Sequence, residues 1–335
     1  MNFKTPAFWT KKNLISFTLL PLSLVYFIAI KLVNHFCKTY KISKPVICVG
    51  NLIAGGSGKT PTAIALGKIF WEIFDEVNKK SKFDPLQFAY LSRGYMGDGA
   101  EFLRLRGGND KAMNVGDEAM LLSETAPTFV AKNRLFGAQQ IDNIKNIKAI
   151  ILDDGMQNNS LHKDLTVLVV DGMIGFGNEF LIPAGPMREP LKSGINRADL
   201  IVLIGEPKAG LMQKISHKKI IRAEILPTNL QKFSGQKLMA FSGLAYPQKF
   251  FSFLKKSNLE LINQKSFPDH YNYQNSDLEE LCKAAEEQGL KLITTKKDWI
   301  KFSPSFQNKV DYLDIELKFL DENFVKNELR KFVGL

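Results

Sequence analysis

The run Val49-Gly50-Asn51-Leu52-Ile53-Ala54-Gly55-Gly56-Ser57-Gly58-Lys59-Thr60-Pro61 constrains the fold of this chain more than any other stretch. A short apolar segment, residues 45–49, enters a glycine-rich turn that ends in Gly-Lys-Thr, and a helical pattern follows. Such a turn aims backbone N–H groups at phosphate oxygens, and the helix behind it adds its positive end. Gly55, Gly56, Ser57 and Gly58 would form the cradle, Lys59 would reach the β- and γ-phosphates, and the Thr60 hydroxyl would hold Mg²⁺. The strict pattern places Gly at position 53, where this chain has Ile53. The bland alternative is a glycine-rich turn with no ligand, and strand, helix and Gly-Lys-Thr together weigh against it.

At 335 residues the chain is long for one core, which predicts about two domains. Three scattered cysteines, Cys37, Cys48 and Cys282, give neither a disulfide framework nor a zinc spacing, so a reducing compartment is the default. A net charge of +11 favours an anionic partner: nucleic acid, a membrane surface or a phosphorylated substrate. No RNA-binding or helix-turn-helix signature accompanies that charge, so nucleic acid is not expected.

The N-terminal region, residues 1–40, separates from the rest as a membrane anchor. Residues 14–30 carry no charge, contain Pro21, and are flanked by Lys11, Lys12, Lys31 and Lys38. The length lies near the lower edge for a spanning helix, and a helix buried or lying in the membrane interface is the rival reading. No small-residue cleavage site follows, and Asn34-His35-Phe36 before Cys37 does not suit a lipoprotein signal. A nucleotide site needs cytosolic ATP, so the large domain is expected inside the cell.

Short apolar runs at 46–49, 88–91, 149–152, 165–170 and 200–204 alternate with amphipathic stretches at 60–74, 117–124 and 135–144. Continuous rather than alternating apolar runs suit strands buried on both faces. The alternation predicts a P-loop NTPase-type α/β fold: a doubly wound, mostly parallel sheet that binds ligands outside the carboxyl ends of its strands. Beyond residue 233 the pattern restarts, with strands at 237–241, 290–294 and 310–317 and helices at 247–256 and from a capping box at Ser276-Asp277-Leu278-Glu279 to Gly289. The expected division is 41–225 for the P-loop domain and 226–335 for a smaller C-terminal α/β domain, with the boundary falling anywhere between Glu206 and Phe233.

Asp153-Asp154-Gly155 follows the run 149–152, where a Walker B carboxylate would hold Mg²⁺ directly or through water. Ser92-Arg93-Gly94-Tyr95 occupies another carboxyl end, with Arg93 able to meet an anion and Tyr95 to pack on a sugar or acyl chain; an exposed turn is the plain alternative. Gly116-Asp117-Glu118 opens a helix, and spacing alone assigns such acids to the helix dipole. The three prolines at positions 183, 186 and 190 stiffen a loop whose one cation is Arg188. His270, in Phe267-Pro268-Asp269-His270-Tyr271, reads on its own as structural.

Together these motifs, with Pro183-Ala184-Gly185-Pro186-Met187-Arg188-Glu189-Pro190 and Thr294-Thr295-Lys296-Lys297-Asp298, resemble the tetraacyldisaccharide 4′-kinase family of lipid A biosynthesis. The resemblance spans about residues 45–300 and includes the N-terminal membrane helix. It implies transfer of the ATP γ-phosphate to the 4′-hydroxyl of a tetraacylated glucosamine disaccharide 1-phosphate, an anionic glycolipid held in a membrane. By resemblance Asp117 is the base with His270 as its partner, and Asp153 and Asp154 hold Mg²⁺ with Glu118 beside them. Ser57, Lys59 and Thr60 bind the nucleotide phosphates. Arg93, Tyr95, Gln157, His162 and Arg188 match family positions around the site, and the two domains are expected to close on the substrate.

Met156 replaces the usual Phe, and Lys296 the usual Glu. The second change makes Thr295-Lys296-Lys297-Asp298 resemble a guanine-reading motif, which leaves ATP against GTP open. The rival functions are a membrane-associated P-loop ATPase or GTPase switch, a kinase of a soluble metabolite, and a structural membrane protein. Ala54, where a partition-type ATPase would carry a second Lys, counts against the first.

Overall fold

A computed structural model describes residues 6–79, 87–94, 101–105 and 115–333. Nine strands form the large sheet: β1 (Val46–Gly50), β2 (Gln87–Ser92), β3 (Phe102–Arg104), β4 (Thr128–Ala131), β5 (Ile147–Asp153), β6 (Leu165–Asp171), β7 (Leu200–Ile204), β8 (Lys219–Pro227) and, from the C-terminal end, β13 (Ile315–Phe319). Their order is β13-β8-β7-β6-β1-β5-β2-β4-β3, parallel throughout except at the two edges, where β13 and β3 run antiparallel. β1 is central, with β5 on one side and β6 on the other. The winding reverses there, which opens a crevice at the carboxyl end of β1.

The continuous apolar runs are buried on both faces, as they predict. Ile47 and Val49 pack with Leu66 and Phe70 of the helix Lys59–Asn78, while Val46 and Cys48 face Ile150, Leu152 and Ala138 on the other side. A second sheet, entirely parallel, is built from β9 (Lys237–Ser242), β10 (Glu260–Ser266), β11 (Lys291–Thr295) and β12 (Asp311–Leu313) in the order β10-β9-β11-β12. The apolar stretch 310–317 is two strands rather than one. The chain breaks at Asp314, whose N–H and C=O are taken by Asn229 and Thr228, and β13 crosses back to the large sheet. The helix Asn275–Glu287 also begins earlier than the capping-box spacing predicts, with the Asp277 carboxylate accepting from the Gln274 N–H at 2.9 Å.

The expectation of a spanning N-terminal helix is corrected. Two helices stand there, Leu14–Thr18 and Leu20–Phe36, and among the described residues no helix is long and apolar enough to cross a membrane. Pro21, in the first turn of the second helix, cannot continue a hydrogen-bond ladder, so the apolar run is split at that point. The 17-residue second helix spans about 26 Å, short of a hydrocarbon core of about 30 Å. Its contacts with the body are polar: Ser23 Oγ donates to the Leu181 carbonyl at 2.8 Å and Tyr26 Oη to that of Arg188 at 3.2 Å. Val25, Ile28, Leu32 and Phe36, at three- and four-residue spacing, are each at least half exposed.

Candidate active site

The glycine-rich loop leaves the carboxyl end of β1 and enters the helix Lys59–Asn78. Gly55 (φ 109°) and Gly58 (φ 88°) take backbone conformations that an L side chain rarely adopts. Asn51 Nδ2 donates to Ser57 Oγ at 2.8 Å across the loop. Ile53, the departure from the strict pattern, is buried and bridges Met187. With Ala54 N–H donating to the Pro186 carbonyl and Arg188 N–H to that of Leu52, both at 2.8 Å, it stitches the loop to the proline-stiffened segment 181–190. That stitching delivers Arg188 to the site.

Register places Asp153 opposite Val49. Thr60 Oγ1 donates to Asp153 Oδ2 at 3.2 Å, while Asp153 Oδ1 is buried with no hydrogen-bond partner among the described residues. The adjacent Asp154 is engaged: Arg188 Nη1 lies 2.7 Å from one oxygen and Lys59 Nζ 3.8 Å from the other. The two carboxylates therefore titrate apart. Burial, reinforced by Glu118, pushes Asp153 up to about 7. Burial would raise Asp154 too, but Lys59 and Arg188 outweigh it and bring it down to about 2. Gln157 donates to the Asn51 carbonyl at 2.8 Å and to Glu189 Oε1 at 2.9 Å, and Glu189 is paired with Arg197.

The helix Asp117–Ser123 brings Asp117 and Glu118 to the same crevice, and the loop after β10 brings His270 from the second sheet. Asp117 is 5% exposed, and its Oδ2 lies 3.0 Å from His270 Nδ1. Burial opposes ionisation, yet Lys297, the His270 hydrogen bond and Lys301 outweigh it and hold the Asp117 carboxyl well below the usual carboxylate range. Lys297 Nζ is 3.3 Å from Glu118 Oε1, 3.3 Å from His270 Nε2 and 3.9 Å from Asp117 Oδ2. Lys301 Nζ bridges Asp117 at 3.5 Å and Asp298 at 3.0 Å. Neither lysine had a role in the sequence reading. Their four-residue spacing after a strand was the available signal, because it puts both ammonium groups on one side of a turn.

Three expected site residues remain: Arg93, Tyr95 and His162. Arg93 is exposed just beyond the carboxyl end of β2, and Tyr95 lies outside the described residues. His162 lies 3.6 Å from Asp164, just before the amino end of β6 and so at the opposite edge of the sheet from the loop. In the guanine-like motif, Lys296 pairs with Glu124 at 2.7 Å. Asp298 is wholly buried, accepting from the Gly243 N–H at 2.9 Å and the Thr295 hydroxyl at 3.0 Å. Neither group is presented to a purine.

A phosphate cradle, a metal-ready carboxylate and a buried Asp–His pair thus converge on one crevice. In comparison with known proteins, the family described as Tetraacyldisaccharide-1-P 4′-kinase matches residues 15–334. The chain belongs to that family. A tetraacyldisaccharide 4′-kinase of Paramagnetospirillum magneticum is 36% identical over 317 residues, 94% of this chain and 94% of that one. One of Rickettsia typhi is 36% identical over 330 residues, 97% and 98% of the two chains. The crystal structure of LpxK from Aquifex aeolicus in complex with ATP superposes with a TM-score of 0.74 at 27% identity, covering 95% of this chain and all of that one. Lipid A kinase activity is the family's function, and the binding-switch alternative is not favoured.

Proposed function

We propose that Asp117 takes the proton as the 4′-hydroxyl of a tetraacylated disaccharide 1-phosphate attacks the γ-phosphorus of ATP. The hydroxyl oxygen forms the new P–O bond, the bond from the γ-phosphorus to its bridging oxygen breaks, and ADP leaves with that electron pair. The observation that carries this reading is the buried, ionised Asp117 held by His270 beside the glycine loop. Lys59 and the loop amides bind the β- and γ-phosphates, and Arg188 lies where charge accumulates during transfer.

The donors present fit Mg²⁺. Among the described residues there is no cluster of three or more His, Cys, Asp or Glu for a metal, but Mg²⁺ beside nucleotide phosphates needs only one or two carboxylates. Asp153, with its unpartnered oxygen, and Thr60 would hold it, Glu118 stands close by, and Asp154 is already committed to Arg188. When bound, the ion neutralises phosphate charge and orients the γ-phosphate.

A cavity of about 260 Å³ lies between the helix Leu20–Phe36 and the loop, lined by Tyr26, Ile30, Val33, Gln157, Arg188 and Arg197. It is too small for a tetraacylated disaccharide, so the sugar end enters and the acyl chains stay outside. The outward apolar face of that helix would meet the inner membrane on the cytoplasmic side, where the chains reside. In this reading residues 1–40 form the membrane-contacting part and 41–225 the nucleotide-binding part; of the expected 226–335 domain, 226–314 contributes His270, while 315–333 returns to the large sheet and its core. Arg93 and Gln157 flank the sugar; His162 is remote from the transfer chemistry.

The test is purified protein with labelled ATP and the disaccharide 1-phosphate, with GTP as competing donor. Label should move to the lipid and GTP should compete poorly. Hydrolysis of ATP without lipid labelling would contradict the proposal.

A further inference from the structure

Among the described residues, the ring of His270 is contacted on both nitrogens. Nδ1 lies 3.2 and 3.0 Å from the two Asp117 oxygens, and an ionised carboxylate only accepts, so Nδ1 carries the hydrogen. Nε2 lies 3.3 Å from Lys297 Nζ, and an ammonium only donates, so Nε2 is the bare nitrogen. Among the described residues the Asp269 carboxylate also lies 4.0 Å from Nε2 and favours a hydrogen there. Lys297 opposes it from the shorter distance. Lys301 and Glu118 hold Asp117 and Lys297 respectively.

We propose that Lys297 is a positioning residue that fixes the His270 ring with Nδ1–H toward Asp117, and thereby reserves Asp117 itself as the proton acceptor. The proposal rests on the reading of Asp117 as the base. In a Ser-His-Asp arrangement the nitrogen remote from the acid collects the substrate proton. Here that nitrogen is occupied by Lys297, so the imidazole orients the carboxylate instead of relaying its proton. Lys297 is well placed for the task. It leaves the short helix Lys296–Trp299, whose first turn is capped by Thr295 and whose Asp298 is tied to Gly243 in the buried interior.

The experiment is nitrogen NMR of the full-length protein labelled in histidine. With only four histidines, His35, His162, His217 and His270, a His270→Asn variant assigns the ring. The wild-type ring should show a protonated Nδ1 and a bare Nε2. In Lys297→Met that signature should be lost, with kcat down roughly 100-fold and KM for ATP unchanged, while Lys297→Arg should recover part of the rate. A wild-type ring protonated at Nε2 would overturn the proposal without any variant needing to fold. So would Lys297→Met with the native tautomer and native kcat. Normal turnover in Asp117→Ala would instead remove the base assignment and leave the tautomer result standing.

Discussion

At the scale of single residues, Asp153 and Asp154 share a backbone turn and have opposite electrostatics. Asp153, raised to about 7, keeps its proton in the folded state at pH values where the unfolded chain, near 3.9, has released it. Its contribution to stability is therefore fullest below about pH 4 and is lost as the pH rises through 7. A cation stabilises the ionised form, so the rise in melting temperature on adding Mg²⁺ should be larger at pH 8 than at pH 6. Asp153→Asn should abolish that difference; an equal shift at both pH values would contradict the metal assignment. Lys59→Ala should cost transfer through poor phosphate positioning, measured as a fall in kcat/KM, and unchanged kinetics would remove the cradle assignment. Lys59, Thr60 and Asp153 were legible because the chemistry needs those residue types at the ends of particular strands. Asp117 and His270 stand 153 positions apart, and no spacing rule joins them. Family resemblance supplied the pair, and the meeting of the two sheets supplies its physical reason. Lys297 stayed hidden because its role depends on where β11 ends relative to the helix carrying Asp117.

At the scale of elements, the central strands were readable because burial on both faces demands unbroken apolar runs. The boundaries that went wrong were decided by single polar or imino residues: Asp314 splits one apolar run between two sheets, and Pro21 splits another between two helices. Gly67 shows packing overruling propensity. A Cβ there would meet Tyr90 Oη at 2.0 Å and the Phe88 ring at 2.9 Å, so the helix Lys59–Asn78 rests on β2 through its bare backbone. Gly67→Ala gains about 1 kcal/mol of helix propensity but incurs a steric cost of about 1–3 kcal/mol. The expected result is a lower denaturation midpoint with the site chemistry intact. A stabilised variant would mean that the helix can shift away from the sheet.

At the scale of the whole molecule, two parallel sheets meet at one crevice, and the N-terminal helix attaches beside it by polar contacts with its apolar side outward. The arrangement explains why an apolar run too short to cross a bilayer is present on a basic protein. In the proposed reading, charge and an apolar face together would hold the site at the surface where the lipid lies. Replacing Val25 and Ile28 with Glu should abolish sedimentation with anionic vesicles while leaving ATP binding intact; undiminished sedimentation would place the membrane contact elsewhere. The sequence marked this segment as apolar but not which side faces outward, because that depends on Ser23 and Tyr26 reaching the loop 181–190. The central claim is that Asp117 accepts the proton during transfer. Single-turnover transfer of labelled phosphate from ATP to the disaccharide 1-phosphate by Asp117→Ala, with ATP binding measured on the same sample, tests it most directly. The account predicts ATP bound as in the wild type and no labelled lipid; normal transfer by that variant would contradict it.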